Sequence, residues 1–313
     1  MTAVREACEV LGRRRVGAYH AVTLVAPRIA EAARPGQFVE LLAGEERSFL
    51  LRRPFSIHRV ERPEGSGEPR GGAPVDREGS GEPQGGAPVS GGEALGTVEV
   101  VLDVVGPGTR ALAGLRPHDL VDALGPLGRP FTPPAEPARC LLVGGGYGTA
   151  ALFFLAEELR ARRCRVDFVV GAATAARLFD AVEARRHGHT LTVTTDDGSA
   201  GQRGIVTDPM PELLGRLRVG QVFACGPMAM LAAVSRVAGQ HGVPCQVAVE
   251  ELMACGTGIC FSCVVPVADP ARPDEPARMA RSCLEGPVFD GAAIAWGELG
   301  HSSEAPDLQE LAR

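Results

Sequence analysis

Short β-rich runs divided by Gly and Pro fill the first part of the chain: Ala18–Val25, Gln37–Leu42, Phe55–Val60, Thr97–Val105 and Leu120–Leu124. Their length, spacing and turn-rich separators predict a small antiparallel barrel. A Pro-rich hinge, Thr132–Pro137, closes this part, and the pattern then changes. Arg139–Val143 reads as an apolar strand and Gly144–Gly148 as a glycine turn. Ala150–Arg163 has helical spacing with Glu157 and Glu158 on its polar side. Strand-like runs return at Val166–Gly171, Thr190–Thr195, Gln221–Ala224 and Gln246–Val249, with helical segments between them. That alternation predicts a doubly wound parallel sheet. From Glu251 onward the chain is Cys-rich and has no long helical pattern. The fold class is therefore β plus α/β: an N-terminal antiparallel β-barrel over residues 1–133, an α/β domain over 138–250 and a small cysteine module over 251–313.

One stretch fits none of this. Glu64–Val75 (EGSGEPRGGAPV) and Glu78–Val89 (EGSGEPQGGAPV) form a tandem duplication with a 14-residue period and one mismatch, Arg70 against Gln84. Without apolar periodicity it cannot offset its ordering entropy, so residues 64–92 are predicted to be a disordered, elongated hairpin loop in the barrel.

Composition narrows the chemistry. The 313 residues suit two ordinary domains. A net charge of −6 gives no basic footprint, so neither nucleic acid nor an acidic membrane is an expected partner. All 32 basic residues are Arg, and there is no Lys or Asn. This excludes a Schiff-base lysine, a P-loop lysine and an N-glycosylation acceptor. No apolar run reaches membrane-spanning length, and MTAVREACEVLGRRR has no apolar signal core, so a cytoplasmic protein is expected. In that compartment nine cysteines are not a disulfide framework.

Four of them have a spacing that carries chemistry. Cys255-Gly-Thr-Gly-Ile-Cys260-Phe-Ser-Cys263, followed by Cys283, is C-x4-C-x2-C plus a distant fourth thiol. This is the plant-type [2Fe–2S] ligand spacing. Bridged iron needs soft anionic sulfur, and Gly256 and Gly258 let a tight loop turn its amides toward that sulfur. A structural zinc site is the alternative, although zinc sites usually show two C-x2-C pairs and only Cys260/Cys263 form one. Cys8, Cys140, Cys164 and Cys245 stand singly beside apolar residues, as small buried side chains do. Cys225 differs, since it opens Cys225-Gly226-Pro227-Met228 at the carboxyl edge of the predicted sheet, where ligands bind.

Gly144, Gly145, Gly146 and Gly148 lie between a strand and a helix, where amides and helix dipole can hold a pyrophosphate. The run is not a full G-x-G-x-x-G, and the next strand ends on Gly171-Ala172-Ala173-Thr174 without an acidic residue. In the barrel, Arg53-Pro54-Phe55-Ser56 offers a guanidinium fork for a phosphate, an aromatic to cover a flavin edge and a hydroxyl to reach a ring nitrogen. Val105-Gly106-Pro107-Gly108-Thr109 can present backbone amides to a second phosphate contact.

Taken in order, LRRPFSI (Leu51–Ile57), GPGT (Gly106–Thr109), GPLG (Gly125–Gly128), LLVGGGYG (Leu141–Gly148), TDDGSAGQRGIVTD (Thr195–Asp208), ACGPMAML (Ala224–Leu231) and the four cysteines resemble the ferredoxin reductase-like superfamily. Within it, the resemblance is to the electron-transfer subunits of NAD-linked dihydroorotate dehydrogenases. It implies FAD on Arg53, Pro54, Phe55 and Ser56, with Arg53 at the pyrophosphate and Ser56 at the ring. Val101, Leu102, Asp103, Gly108 and Thr109 would complete the FAD site. NAD(H), a diffusible co-substrate, would meet Gly144–Gly148 and Cys225, Gly226 and Pro227. Cys255, Cys260, Cys263 and Cys283 would hold a [2Fe–2S] cluster. The chain departs from the family pattern at Leu102-Asp103, where an aromatic-basic pair is common, and at Thr149-Ala150-Ala151, where a small residue and a Pro usually follow the turn.

The implied cofactors form an electron converter, because a flavin can exchange both hydride and single electrons. No protein side chain is needed as a catalytic acid or base. The implied partner is an FMN-containing catalytic dehydrogenase subunit of pyrimidine biosynthesis, in a heterotetramer of two of each chain. The segment around Cys255–Cys263 is then expected at a subunit interface. A reductase subunit of a hydrogenase or sulfur oxidoreductase, or a non-catalytic flavin and cluster redox sensor, would share the same motifs.

Overall fold

The computed structural model describes residues 3–43, 51–63, 95–269, 272 and 275–299, so the expected loop at 64–92 lies outside the described residues. Six strands close the barrel: β1 (Val4–Val16), β2 (Tyr19–Val25), β3 (Phe38–Ala43), β4 (Arg53–Glu61), β5 (Thr97–Leu102) and β6 (Leu120–Leu127). Their order is β1-β2-β5-β4-β3-β6, every pair is antiparallel, and β6 returns to β1. Alternation explains which side chains fill it. On β3, Val39, Leu41 and Ala43 join the barrel core, while Phe38 packs outside it against the cysteine module. On β4, Phe55 and Ile57 point inward and Ser56 is exposed on the outer surface. Helices α1 (Pro27–Ala32) and α2 (Pro107–Gly114) add Ile29, Ala30 and Leu112 to the same core. Thr97–Val105, expected as one strand, stops at Leu102 because Gly106-Pro107 starts α2 instead. β1 was not expected at all.

The second part contains β7 (Arg139–Gly145), α3 (Ala150–Ala161), β8 (Arg165–Ala172), α4 (Ala181–His187), β9 (Thr190–Thr195), β10 (Gln202–Arg203), α5 (Met210–Leu217), β11 (Gln221–Cys225), α6 (Met228–Gln240) and β12 (Cys245–Ala248). Beyond it follow β13 (Val264–Val267), β14 (Arg278–Arg281), α7 (Ser282–Glu285) and β15 (Val288–Asp290). The sheet runs β10-β9-β8-β7-β11-β12-β15. It is parallel except at its edge, where β15 pairs antiparallel with β12, so the cysteine module lends a strand to the α/β sheet. The expected parallel sheet is thus mixed. β8 lies on one side of β7 and β11 on the other, which makes the carboxyl ends of β7 and β11 the switch point where such sheets bind ligands.

Barrel and sheet share a core. Tyr19, Ala21 and Val101 from the barrel pack in one cluster with Leu152, Phe153 and Phe168 of the α/β part. Each fully buried Phe or Leu contributes about 1.5–3 kcal/mol relative to exposure, which fixes the two parts against each other. Phe38 and Leu127 meet Met253, Cys263 and Cys283 in a smaller cluster that seats the cysteine module on the outside of the barrel. Among the described residues no helix is long and apolar enough to cross a membrane.

Candidate functional site

The two barrel segments expected to hold FAD meet in space. A Cβ built on Gly108 would run into the Arg53 guanidinium, so that group rests directly on the start of α2 and a side chain at Gly108 would displace it. Thr109 Oγ1 accepts the amides of Val105 and Gly106 at 3.0 and 3.1 Å, which shapes that turn. Pro54 is half-buried, and Ser56 stands on the outer face opposite Phe38 of β3. The ring of Phe55 does not cover a ligand edge, because strand alternation turns it into the barrel core. Val101 and Leu102 are likewise core residues and offer only their backbone. Asp103, the departure from the family pattern, pairs with Arg177 of the α/β part at 2.6 Å. Arg177 in turn lies over the Tyr19 ring at 5.1 Å.

Gly144–Gly148 and Cys225-Gly226-Pro227 also converge. A Cβ on Gly148 would lie 2.8 Å from Gly226 Cα and 2.9 Å from the Cys225 carbonyl oxygen; one on Gly145 would lie 3.0 Å from Pro227 Cδ. On Gly144 it would meet Thr149 Oγ1 at 2.3 Å, and Gly146 takes a φ of +53°. These glycines thus admit a close approach of two backbone segments. At the sheet switch point Gly145, Gly146, Gly148 and Pro227 line a cavity of about 450 Å³ together with Tyr147, Arg177, Asp196 and Glu250, while Gly144, Cys225 and Gly226 stand behind its wall. That size is ordinary for a cofactor pocket. Cys225 is buried, and burial pushes its thiol up to about 12, so it acts here as a core side chain whose backbone forms the corner. The Tyr147 hydroxyl donates to the Glu250 carboxylate. Asp196 was missed as a pocket residue. The acidic group absent from the end of β8 stands one strand over, just beyond β9, and the motif Thr195-Asp196-Asp197 was its only signal.

The four cysteines gather on the module facing the barrel. Their thiols meet as two pairs, Cys255 with Cys260 and Cys263 with Cys283. Among the described residues no three His, Cys, Asp or Glu side chains close on one ion. Two thiol pairs match the donor set of a two-iron cluster, with two sulfurs available to each iron. Amides turn toward the sulfurs as Gly256 and Gly258 allow. Thr257 N donates to Cys255 Sγ at 3.4 Å, and Gly258 donates its backbone hydrogen bond to Cys283. Burial opposes ionisation of Cys255, yet the amides of Cys260 and Thr257 outweigh it and bring the thiol down to about 6. Burial and the adjacent Cys263 push Cys283 up to about 12, so this inner pair becomes anionic together only with a cation beside it. The glycines are steric requirements too. Gly256 (φ +64°) leaves 2.6 Å between a would-be Cβ and Glu40 Oε1, and Gly258 (φ +81°) leaves 2.2 Å to Leu284 Cδ1. Around this loop Leu252 and Ile259 are each 79% exposed and Phe261 60%, an apolar rim over the outer thiols.

Residues 250–295 match the family model of the iron-sulfur cluster binding domain of dihydroorotate dehydrogenase B. The dihydroorotate dehydrogenase B (NAD(+)) electron transfer subunit of Desulforamulus reducens is 33% identical over 271 residues, covering 87% of this chain and 90% of its own. The chain belongs to that family of electron transfer subunits. Another electron transfer subunit of dihydroorotate dehydrogenase B, from Geobacillus thermodenitrificans, is 34% identical over 293 residues, 93% of this chain and 98% of its own. Among solved structures, the NADH-dependent reduced ferredoxin-NADP oxidoreductase, described for flavin-based electron bifurcation, superposes with a TM-score of 0.74 at 28% identity. It covers 98% of this chain and 96% of that one. Both the sequence likeness and the structural likeness thus take in the barrel, the sheet and the cysteine module.

Proposed function

We infer that the chain links NAD(H) to a catalytic dihydroorotate dehydrogenase subunit through FAD and a [2Fe–2S] cluster. The observation that carries this reading is the convergence of three sites on one packed body: the Arg53–Gly108 cradle, the glycine cavity and the paired thiols. When bound, the flavin exchanges hydride with nicotinamide and single electrons with the cluster. The chain's own residues bind and orient. Arg53, with the backbone of Val101–Asp103 and the Gly108-Thr109 turn, holds the FAD pyrophosphate, and Ser56 addresses the ring. The amides of Gly144–Gly148 and the Cys225–Pro227 corner hold NAD. The Asp196 carboxylate suits ribose hydroxyls and repels a 2′-phosphate, which favours NAD over NADP. Residues 1–133 serve as the flavin barrel, 138–250 as the nucleotide domain and 251–313 as the cluster module.

Anaerobic titration with NADH, followed by visible absorbance and EPR, tests the reading. Bleaching of a flavin band together with a rhombic reduced-cluster signal is expected. Bleaching without that signal would contradict the role of the four cysteines.

The catalytic partner docks on the apolar rim formed by Leu252, Ile259 and Phe261, in a cytoplasmic assembly of two of each chain. Exposed apolar side chains of this size around the outer thiols mark an interaction surface. Replacing both Ile259 and Phe261 by Asp is expected to weaken binding to the catalytic subunit by about tenfold or more. Flavin bleaching by NADH should be unchanged. Calorimetric titration of the two subunits checks this, and unaltered affinity would place the interface elsewhere.

A further inference from the structure

His58 is buried and has no part in the sites above, yet it lies between two of them. Ile57 faces Val100 of β5 and Arg59 faces Glu99, so His58 is an extra residue on β4. Such bulges bend a strand and re-aim a side chain. The imidazole leaves the barrel and enters the α/β part, edge-on to Phe153 and Phe179 with ring centroids 5.6 Å away in both cases. There His58 Nδ1 lies 2.7 Å from the Ala150 carbonyl oxygen. That oxygen can only accept, so Nδ1 carries the proton. Burial pushes the imidazole pKa down against the pull of the Ala150 carbonyl and the Glu99 carboxylate, and Nδ1 keeps its proton in either charge state. The other nitrogen faces Glu99 Oε1 at 3.4 Å. The Glu99 carboxylate is itself held by Arg14 at 2.9 and 3.2 Å and by Thr23 at 3.1 Å.

What gives this bond a use is where its two ends sit. His58 follows Ser56, the exposed hydroxyl of the flavin strand, by two residues, about 7 Å of strand. Ala150 is the first residue of α3 and follows the last glycine of the nucleotide turn by two residues. A single hydrogen bond thus ties the strand proposed to face the flavin to the turn proposed to face NAD. Its aromatic surroundings exclude competing water.

We propose that His58 is a positioning residue that sets the reach between the nicotinamide nucleotide and the flavin by donating Nδ1–H to the Ala150 carbonyl. The proposal rests on the functional reading above. It requires the bridge and not merely a filled space: Asn carries an amide N–H near the position of Nδ1, Gln near Nε2, and Leu carries neither.

The experiment compares His58→Asn, His58→Gln and His58→Leu in the full chain with cofactors loaded. FAD content, reduced-cluster EPR and light-driven flavin reduction without NADH report on cofactor binding. NADH affinity and the stopped-flow rate of flavin bleaching by NADH report on the bridge. His58→Leu and His58→Gln are expected to bleach about tenfold more slowly or worse, since small misplacements of reacting groups are costly. NADH affinity should stay within about threefold in all three, because the nucleotide is held by the turn itself. His58→Asn should keep most of the wild-type rate. A rate in His58→Asn as low as in His58→Gln, or a wild-type rate in His58→Gln, would overturn the proposal. If His58→Leu fails to fold, the Asn and Gln pair still decides. Absence of bleaching in the wild-type protein would instead remove the functional reading, and this proposal with it.

Discussion

Serine in place of Cys263 is expected to abolish the reduced-cluster EPR signal while NADH still bleaches the flavin band. Cys263 is 1% exposed and paired with Cys283 beneath the loop, so nothing from solvent can take its place as a ligand. A serine hydroxyl is a hard, weakly acidic donor and suits bridged iron poorly. Loss of an outer-shell partner alone costs a metal site about 10–100-fold, and loss of a ligand should cost electron delivery to a one-electron acceptor more than that. The Arg53 cradle and the glycine cavity use neither the loop nor its thiols, so flavin binding and reduction should survive. Cys8→Ala is the control. Its thiol is buried on β1 and pushed up to about 12 by burial, and its loss should leave both signals in place. An EPR signal persisting in Cys263→Ser would remove this residue from the ligand set. Loss of both signals would mean that the module is needed for the fold and not only for the cluster.

The parts of the molecule legible in the sequence are those whose chemistry is local. C-x4-C-x2-C and Gly144–Gly148 each fit within one loop, where spacing alone dictates what the backbone can do. β1 was not legible because its buried positions are few. Only Cys8 and Val10 are fully buried along Val4–Val16, and the Arg13–Arg15 run hides the alternation. α2 was hidden by the Gly and Pro that cap it, which read as strand end and turn. β15 is three residues long and earns its place only by pairing with β12, about which the sequence is silent. Long-range pairs were invisible for the same reason. In the sequence Asp103 stands only as a departure from the family pattern, and Arg177, far along the chain, supplies its partner. His58 and Glu40 look like ordinary polar strand residues, and only the packing of one part on another buries them.

Glu40→Gln is expected to stabilise the protein at pH 8 and to have little effect near pH 4.5. Glu40 points outward from β3 toward Gly256 of the cysteine loop. It is 0% exposed, and neither carboxylate oxygen has a hydrogen-bond partner. Burial first, and then the charge of Cys255, raise its pKa from 4.5 to about 7 against the pull of Arg52 and Arg53. An acid raised on folding binds more protons in the native state than in the unfolded state between those two values. Stability therefore falls as pH rises through this window and levels off above it. At about 1.4 kcal/mol per pH unit, the shift corresponds to a loss on the order of 3 kcal/mol by pH 8. Glutamine keeps the shape and removes the titration, so the variant should gain that amount at pH 8, on the order of 5 °C in Tm. Thermal unfolding of both proteins at pH 4.5 and pH 8 reads the difference. An equal Tm offset at both values would mean that Glu40 does not titrate on folding. A loss of stability at pH 8 would mean that the carboxylate is stabilising in its charged form, held by Arg52 and Arg53 more firmly than its burial opposes.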